Sequence, residues 1–298
     1  MQKGKKIDLF PYLLLTPSII MLLLITAYPF ISSVGISFFD YSFLKQGIRF
    51  VGLKNYTDIL SEGKFLSSVR FTLVWTVCNV ALTTLLGFIM ALLMRTKFWG
   101  REVLKATMLI PWILPQVVTG YVFNMMMAQD IGIITHVLHV AGIVPAGFSW
   151  FSDPRLAAVA VIIANSWRGF PFVGLMLYAK MQAMPLTHLE AAHIDGASAA
   201  QSFLYIILPY IKPVAVTSML LTFIWTFNAF DIVKVMTNGG PLEATTTLSL
   251  RLQREAFDYM EISRACTMAV CMFLLLLAAA ALFILISKLF IIRTRDRE

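Results

Sequence analysis

Charge is scarce in this chain. Only 13% of its 298 residues are charged and 59% are hydrophobic, with a mean hydropathy of +0.79; a soluble domain of this length carries about 25% charged residues. That shortage excludes a water-soluble globule. Cysteine is scarce too. Cys78, Cys266 and Cys271 all fall in apolar runs, and an odd set in such surroundings excludes a disulfide framework or a zinc site and reads as small packing residues. Histidine is down to 4 residues. His136 and His139 stand three apart, but no Cys or Glu beside them completes a metal site. The phosphate-cradling pattern G-x-x-x-x-G-K-[ST] is missing. So is any local Ser–His–Asp or paired-carboxylate arrangement. The chain is therefore expected to have no catalytic residues, no metal and no cofactor of its own. The net charge of +8 does not imply nucleic acid, because the basic residues are scattered between apolar runs and form no compact face.

Long uncharged runs are abundant. Leu9–Phe39, Phe71–Met94, Ala106–Gln129, Pro213–Phe230 and Ala265–Ser287 carry no charge, and Leu156–Ala179 is broken only by Arg168. Each is near or above the about 20 residues that cross a bilayer. Unbroken runs satisfy their backbone in lipid only as helices. The expected fold is an all-α polytopic membrane protein, one transmembrane domain over 1–298. Its six spans are expected near 11–38, 68–94, 105–128, 156–180, 210–233 and 265–288. A seventh uncharged stretch, Ile131–Ser152, holds Gly132, Gly142, Pro145 and Gly147, and reads as a loop with a short helix.

With six spans, 13 Lys and Arg fall on the side of the two termini and 10 on the other. The bias is sharpest in the N-terminal Lys3, Lys5 and Lys6 and in the tight loop with Arg95, Lys97, Arg101 and Lys105. Both termini are expected in the cytoplasm, and the first span, too long for a signal-peptide core, is expected to stay as an anchor. Inside the spans, ionisable residues are costly and mark function or pairing. Arg168 either pairs with a carboxylate or carbonyl between helices or lines a cavity. Asp231 and Lys234 close the fifth span after Trp225, Thr226 and Asn228. Residues Arg251 to Asp258 read as an amphipathic surface helix.

One segment between the fourth and fifth spans is polar and helix-competent, so it belongs at the membrane surface. Thr187-His-Leu-Glu190 and Ser198-Ala-Ala-Gln201 are both capping-box patterns. Asp195-Gly196 supplies a helix stop between them. A helix–turn–helix hairpin is expected over 187–208, with Ala191, Ala192, Gly196 and Ala197 forming a small face that another protein can approach. The residues alone leave two readings open, a membrane-parallel linker and a docking element.

Glu190-Ala191-Ala192, Gly196 and Ile206-x-Leu208-Pro209 together resemble the EAA–G–I-x-LP signature of the membrane subunits of binding-protein-dependent ABC importers, with every fixed position matched. Phe50-Val-Gly-Leu-Lys-Asn-Tyr56, Trp167-Arg-Gly-Phe-Pro-Phe172 and Thr237-Asn-Gly-Gly-Pro241 with Ala244-Thr245 are similar to segments of the MalF/UgpA-like carbohydrate permeases. The chain looks like the shorter, six-helix form of these. The resemblance implies a bacterial or archaeal inner-membrane protein that is not itself an enzyme. It implies a second, different permease subunit, two ATPase subunits that hold ATP and Mg, an extracytoplasmic solute-binding protein and a carbohydrate substrate within membrane lipid. It assigns ATPase coupling to Glu190, Ala191, Ala192, Asp195 and Gly196. By motif alignment, with Asn228 added from the polar end of the fifth span, it places the substrate path at Arg168, Gly169, Phe172, Thr222, Trp225, Thr226, Asn228 and Ala229. The basic Arg168 keeps uronates and glycerol phosphates open as substrates. A secondary transporter, although internal repeats with broken helices and intramembrane carboxylates are not evident, and a membrane scaffold or receptor without a transport role are the remaining alternatives.

Overall fold

The computed structural model describes residues 10–44, 47–96 and 98–295. The basic residues Lys3, Lys5, Lys6, Lys45, Lys97 and Arg297 of the charge-bias argument lie outside them. Among the described residues five helices are long and apolar enough to cross a membrane, or six when one bent pair is taken as a single span. The chain divides into two compact units.

The first unit comprises residues up to Glu62 together with Leu252–Leu274. Helix α1 (10–36) contains a π-turn over Leu23–Ala27, immediately ahead of Pro29. A two-residue ribbon follows, β1 (Phe39–Asp40) pairing antiparallel with β2 (Arg49–Phe50). The short helix α2 (Lys54–Ser61) comes next. This unit is closed by polar bonds to the start of the last helix. Tyr41 N donates to Ser263 Oγ at 2.8 Å, and Ser42 Oγ donates to Met260 O at 3.1 Å. Arg264 reaches Glu62 at 2.6 Å and Glu255 at 3.2 Å. Glu255 is buried, and removing that guanidinium would leave its carboxyl group without its partner. A free amphipathic surface helix over 251–258 is therefore not what forms. The segment is the end of a helix (Leu248–Gln253) running into a π-turn (Arg254–Asp258), with Arg251 and Glu255 facing inward.

The second unit holds Gly63–Arg251 and the chain from Leu275 onward. Its axis is a close pair of long helices, α3 (Gly63–Arg95) and α7 (Pro154–Gln182). They approach because glycine faces glycine. A Cβ on Gly87 would lie 2.8 Å from Gly174 N and 2.9 Å from Phe170 O, and one on Gly174 would lie 2.6 Å from the Met90 sulfur. Small residues permit such backbone contact between membrane helices. Buried polar groups reinforce the crossing: Asn79 Oδ1 accepts from Asn165 Nδ2 at 2.9 Å and from Ser166 Oγ at 3.1 Å. Helix α7 starts at Asp153, whose carboxylate accepts from Arg155 N and Leu156 N, with Pro154 in the first turn, as an N-cap requires. Pro171 leaves the helix uninterrupted.

The stretch expected as one span over 105–128 is two helices, α4 (Arg101–Ile113) and α5 (Gln116–Met126), at 101° to each other. The cause is Leu114-Pro115. A residue before proline is pushed out of the helical region, and Leu114 has ψ 135°. A short helix α6 (Ile133–Val140) and a series of turns fill the Gly- and Pro-rich stretch after it. Helix α8 (Leu186–Ile194) follows α7, then α9 (Ala199–Phe227). The second helix of the expected hairpin is thus not separate from the fifth span. A π-turn over Phe203–Ile207 carries α9 through Pro209, shifting the carbonyl register just where the proline has no N–H to give. The fifth span ends early, at Phe227, and Asp231–Met236 is a short separate helix, α10. Near it, Arg251 is buried with Nε on Ser68 Oγ at 2.8 Å and Nη2 on Glu243 at 3.2 Å. Leu248–Gln253 is α11, and α12 (Ile262–Arg295) is the last helix.

Candidate functional site

Two features of the second unit bear on function, a hairpin and a recess; α7 and α9 flank the first and line the second. In the hairpin, α8 ends in a Schellman arrangement. Gly196 N donates to His193 O at 3.1 Å and Ala197 N to Ala192 O at 2.9 Å, the paired bonds that close a helix when the next residue turns left-handed. Gly196 supplies that residue at φ 76°. The following helix opens with a complete capping box: Gln201 N donates to Ser198 Oγ at 3.3 Å and Ser198 N to Gln201 Oε1 at 2.8 Å. The other expected box, Thr187 to Glu190, does not form. Helix α8 starts two residues earlier than that pattern requires, with Pro185 at the cap and no side-chain cap bond. Glu190, Ala191, Asp195 and Gly196 are exposed, whereas Ala192 is only 8% exposed and turned inward. Ala192 therefore packs within the hairpin. Ile194, passed over in the sequence, is the conspicuous surface residue at 85% exposure.

The hairpin is stiffly mounted. Across its base Tyr210 Oη donates to Ala183 O at 2.9 Å, and Lys180 Nζ sits 4.1 Å over the Tyr210 ring. Beneath it Leu177, Met181, Met184, Ile207 and Ile211 form one buried cluster joining the end of α7 to the start of α9.

Farther along the same helices lies a small, partly open recess of about 40 Å³. Helix α7 contributes Asn165, Arg168, Gly169 and Phe172, and α9 with its end contributes Thr222, Trp225, Thr226 and Ala229. Each set has the spacing i, i+3, i+4, i+7, which is one face of a helix. Seven of the eight expected path residues thus come together, and Asn228 lines an adjoining hollow with Arg168, Trp225 and Asp231. Thr83, Trp112, Gln116 and Asn165 complete the recess and were not anticipated. Asn165 was within reach, one turn before Arg168 on the same stripe. Trp112 and Gln116 flank the Leu114-Pro115 break, and only knowing that break would have turned them inward.

The recess has an aromatic wall. Phe172 stacks on Trp112 at 6.0 Å between ring centroids and meets Trp225 edge-on at 4.8 Å. Trp225 remains half exposed, while Thr222, Thr226 and Asn165 are buried around it. Arg168 makes the expected bond to a carbonyl and also borders the recess. Its Nε donates to Leu114 O at 3.0 Å, satisfying a carbonyl freed at the end of α4. Trp75 Nε1 donates to Thr226 O at 3.0 Å, fixing the last turn of α9. Among the described residues no group of three metal-ligating side chains occurs.

The chain belongs to the family of binding-protein-dependent transport system inner membrane components, which its residues 83–295 match. It is 36% identical over 249 residues to the trehalose/maltose transport system permease protein MalF of Thermococcus litoralis, covering 83% of this chain and 82% of that one. It is 33% identical over 290 residues to the sulfoquinovosyl glycerol transport system permease protein SmoG of Agrobacterium fabrum, covering 97% and 92%. In fold it is similar to a bacterial alginate ABC transporter solved with an alginate pentasaccharide-bound periplasmic protein. That match has a TM-score of 0.81 at 16% identity, over 95% of this chain and 96% of that one.

Proposed function

We propose that this chain is one of two membrane-spanning subunits of an ATP-driven importer, and that it carries a sugar or oligosaccharide handed over by an extracytoplasmic solute-binding protein. The observation that carries the reading is the shared pair of helices: α7 and α9 hold the hairpin at one end and line the recess farther along. From Gln182 to Phe172 is ten residues, about 15 Å of helix. A push on the hairpin therefore reaches the recess along α9 without an intervening loop, and along α7 through the three-residue turn 183–185.

The hairpin, 187–208, is the cytosolic coupling element. Exposed Glu190, Ala191, Asp195 and Gly196 face one of two ATPase subunits, which hold ATP and Mg, and this chain itself hydrolyses nothing. Closure of the ATPases moves α8, and α7 and α9 swing with it, a rigid-body switch between two accesses. The other membrane subunit is a different chain. Both termini are cytoplasmic, in a bacterial or archaeal inner membrane. Support for that orientation comes from Arg95, Arg101, Lys105 and Lys180, which gather at the hairpin end of the bundle.

In the recess, Trp225 and Phe172 accept the apolar C–H face of a pyranose, and Thr222, Thr226, Asn165 and Gln116 face its hydroxyl edge. The relatives support a carbohydrate, since one is named for trehalose and maltose. Arg168 favours a second reading, an anionic carbohydrate such as a uronate, or a glycerol phosphate. Asp231 in the adjoining hollow offsets that charge and favours a neutral sugar. The test is uptake into proteoliposomes holding the complete complex, with ATP inside and the binding protein loaded with neutral or anionic saccharides outside. ATP-dependent uptake of a saccharide supports the proposal; uptake driven by an ion gradient without ATPase subunits refutes it.

A further inference from the structure

The turn of residues 98–100 with the start of α4 has no part in the hairpin or the recess, yet it is built as a site. Trp99 is 99% exposed and Phe98 is exposed beside it. Gly100, at φ 86°, turns the chain into α4. An open groove runs along this stretch, lined by Phe98, Trp99, Arg101, Glu102, Val103 and Thr107. The cations around it are held in place. Arg101 Nη2 donates to Tyr178 Oη at 3.2 Å, and Lys105 Nζ lies 5.3 Å over the same ring. Gln182 Nε2 donates to Tyr178 Oη at 2.8 Å, so the tyrosine itself is fixed. Glu102 is the one acid of the groove and pairs with both Lys105 at 2.9 Å and Arg101 at 3.5 Å, which leaves two cations against one carboxylate.

We propose that this groove is a binding site for the headgroup of an anionic phospholipid in the leaflet facing the hairpin. Three facts select a lipid. The groove lies where two membrane helices emerge, so lipid is already at hand. Its charge is positive and fixed. Its most exposed residues are Trp99 and Phe98, and tryptophan seats its ring at headgroup depth. Basic residues beside a membrane surface attract anionic headgroups by about five-fold in association for each charge, from roughly 1 kcal/mol apiece. A bound headgroup would bridge α4 to α7 through Arg101 and Tyr178, bracing one of the two recess-lining helices against the broken span.

The test is direct. The complete complex is reconstituted into vesicles of phosphatidylcholine and phosphatidylglycerol, with bromine on the chains of one lipid or the other. The chain has 6 tryptophans, so the difference between the native chain and Trp99→Phe isolates the Trp99 signal. Brominated phosphatidylglycerol is expected to quench it more strongly than brominated phosphatidylcholine. The preference should drop at least five-fold in the double variant Arg101→Gln, Lys105→Gln, since each charge contributes about five-fold. Glutamine retains donors for Tyr178 and Glu102, and unchanged fluorescence of the other tryptophans verifies the fold. Equal quenching by both lipids overturns the proposal. So does Trp99 emission that neither lipid reaches, which would mean that water or a protein partner such as an ATPase subunit covers the groove. The readout does not pass through transport, so failure of the importer assignment and failure of this site are separate results.

Discussion

Gly196 is the sharpest place to perturb the hairpin. Its φ is 76° and nothing lies within 4 Å of a Cβ built there, so any substitution acts on the backbone alone. An ordinary L-residue in that conformation costs roughly 1–2 kcal/mol. Asn and Asp tolerate it better, and a β-branched residue worst of all. With 1.4 kcal/mol equal to about ten-fold, Gly196→Val should cut the ratio of correctly turned to otherwise turned hairpin by about ten-fold or more. Gly196→Ala should be intermediate and Gly196→Asn mild. The hairpin is exposed, so the protein should still reach the membrane at normal abundance. The assay is uptake per unit of membrane-embedded protein, with ATP hydrolysis measured alongside. The expected ranking is Gly, Asn, Ala, Val, with uptake falling while basal hydrolysis by the ATPase subunits persists. Full uptake in Gly196→Val would show that the turn geometry carries no force, and the lever argument would fail.

Three other outcomes follow from the packing. Gly87→Ala forces a methyl to within 2.8 Å of the Gly174 backbone nitrogen; overpacking of this kind costs about 1–3 kcal/mol and should lower the Tm of the purified complex, whereas Gly35→Ala, with open space around it, should not. Trp225→Ala removes half of the Phe172–Trp225 wall, and with an aromatic pair contributing about 0.5–1.5 kcal/mol beyond its area, the KM for uptake should rise about two-fold to ten-fold; an unchanged KM would remove the sugar from the recess. Arg168→Leu orphans the Leu114 carbonyl at a cost of about 1–3 kcal/mol, so it should lower Tm as well as uptake, and Arg168→Lys should recover part of the Tm.

Much of this was legible in the residues, and the failures have physical causes. Uncharged length gave the apolar helices because in lipid a long run has no other way to satisfy its backbone. The break at Leu114-Pro115 was missed although its signal was present, because a run of uncharged residues says nothing about where the axis bends. The hairpin's turn and its second cap were readable, since Gly196 and Ser198–Gln201 act locally. Thr187–Glu190 has the same pattern as a cap and does not act as one, because Pro185 already starts the helix. Arg251 looked like a surface residue by its charge; only the fold brings Ser68 and Glu243 to it. The recess stripe on α9 followed from the resemblance. Thr83, far away in sequence, could be found only once Gly169 and Thr83 were seen face to face, with a Cβ on the glycine 3.3 Å from Thr83 Cγ2.

The most direct measurement is a cross-link from the exposed hairpin. Cysteine is placed at Ala191 in a chain whose own Cys78, Cys266 and Cys271 are replaced by serine or alanine. The assembled complex, purified with its partner chains, is then treated with a short bifunctional thiol reagent. The account predicts an adduct with a nucleotide-hydrolysing subunit, reached from the cytosolic side, and loss of ATP-driven uptake once the bond forms. An adduct with the extracytoplasmic binding protein, or a complex that contains no such ATPase at all, would contradict it.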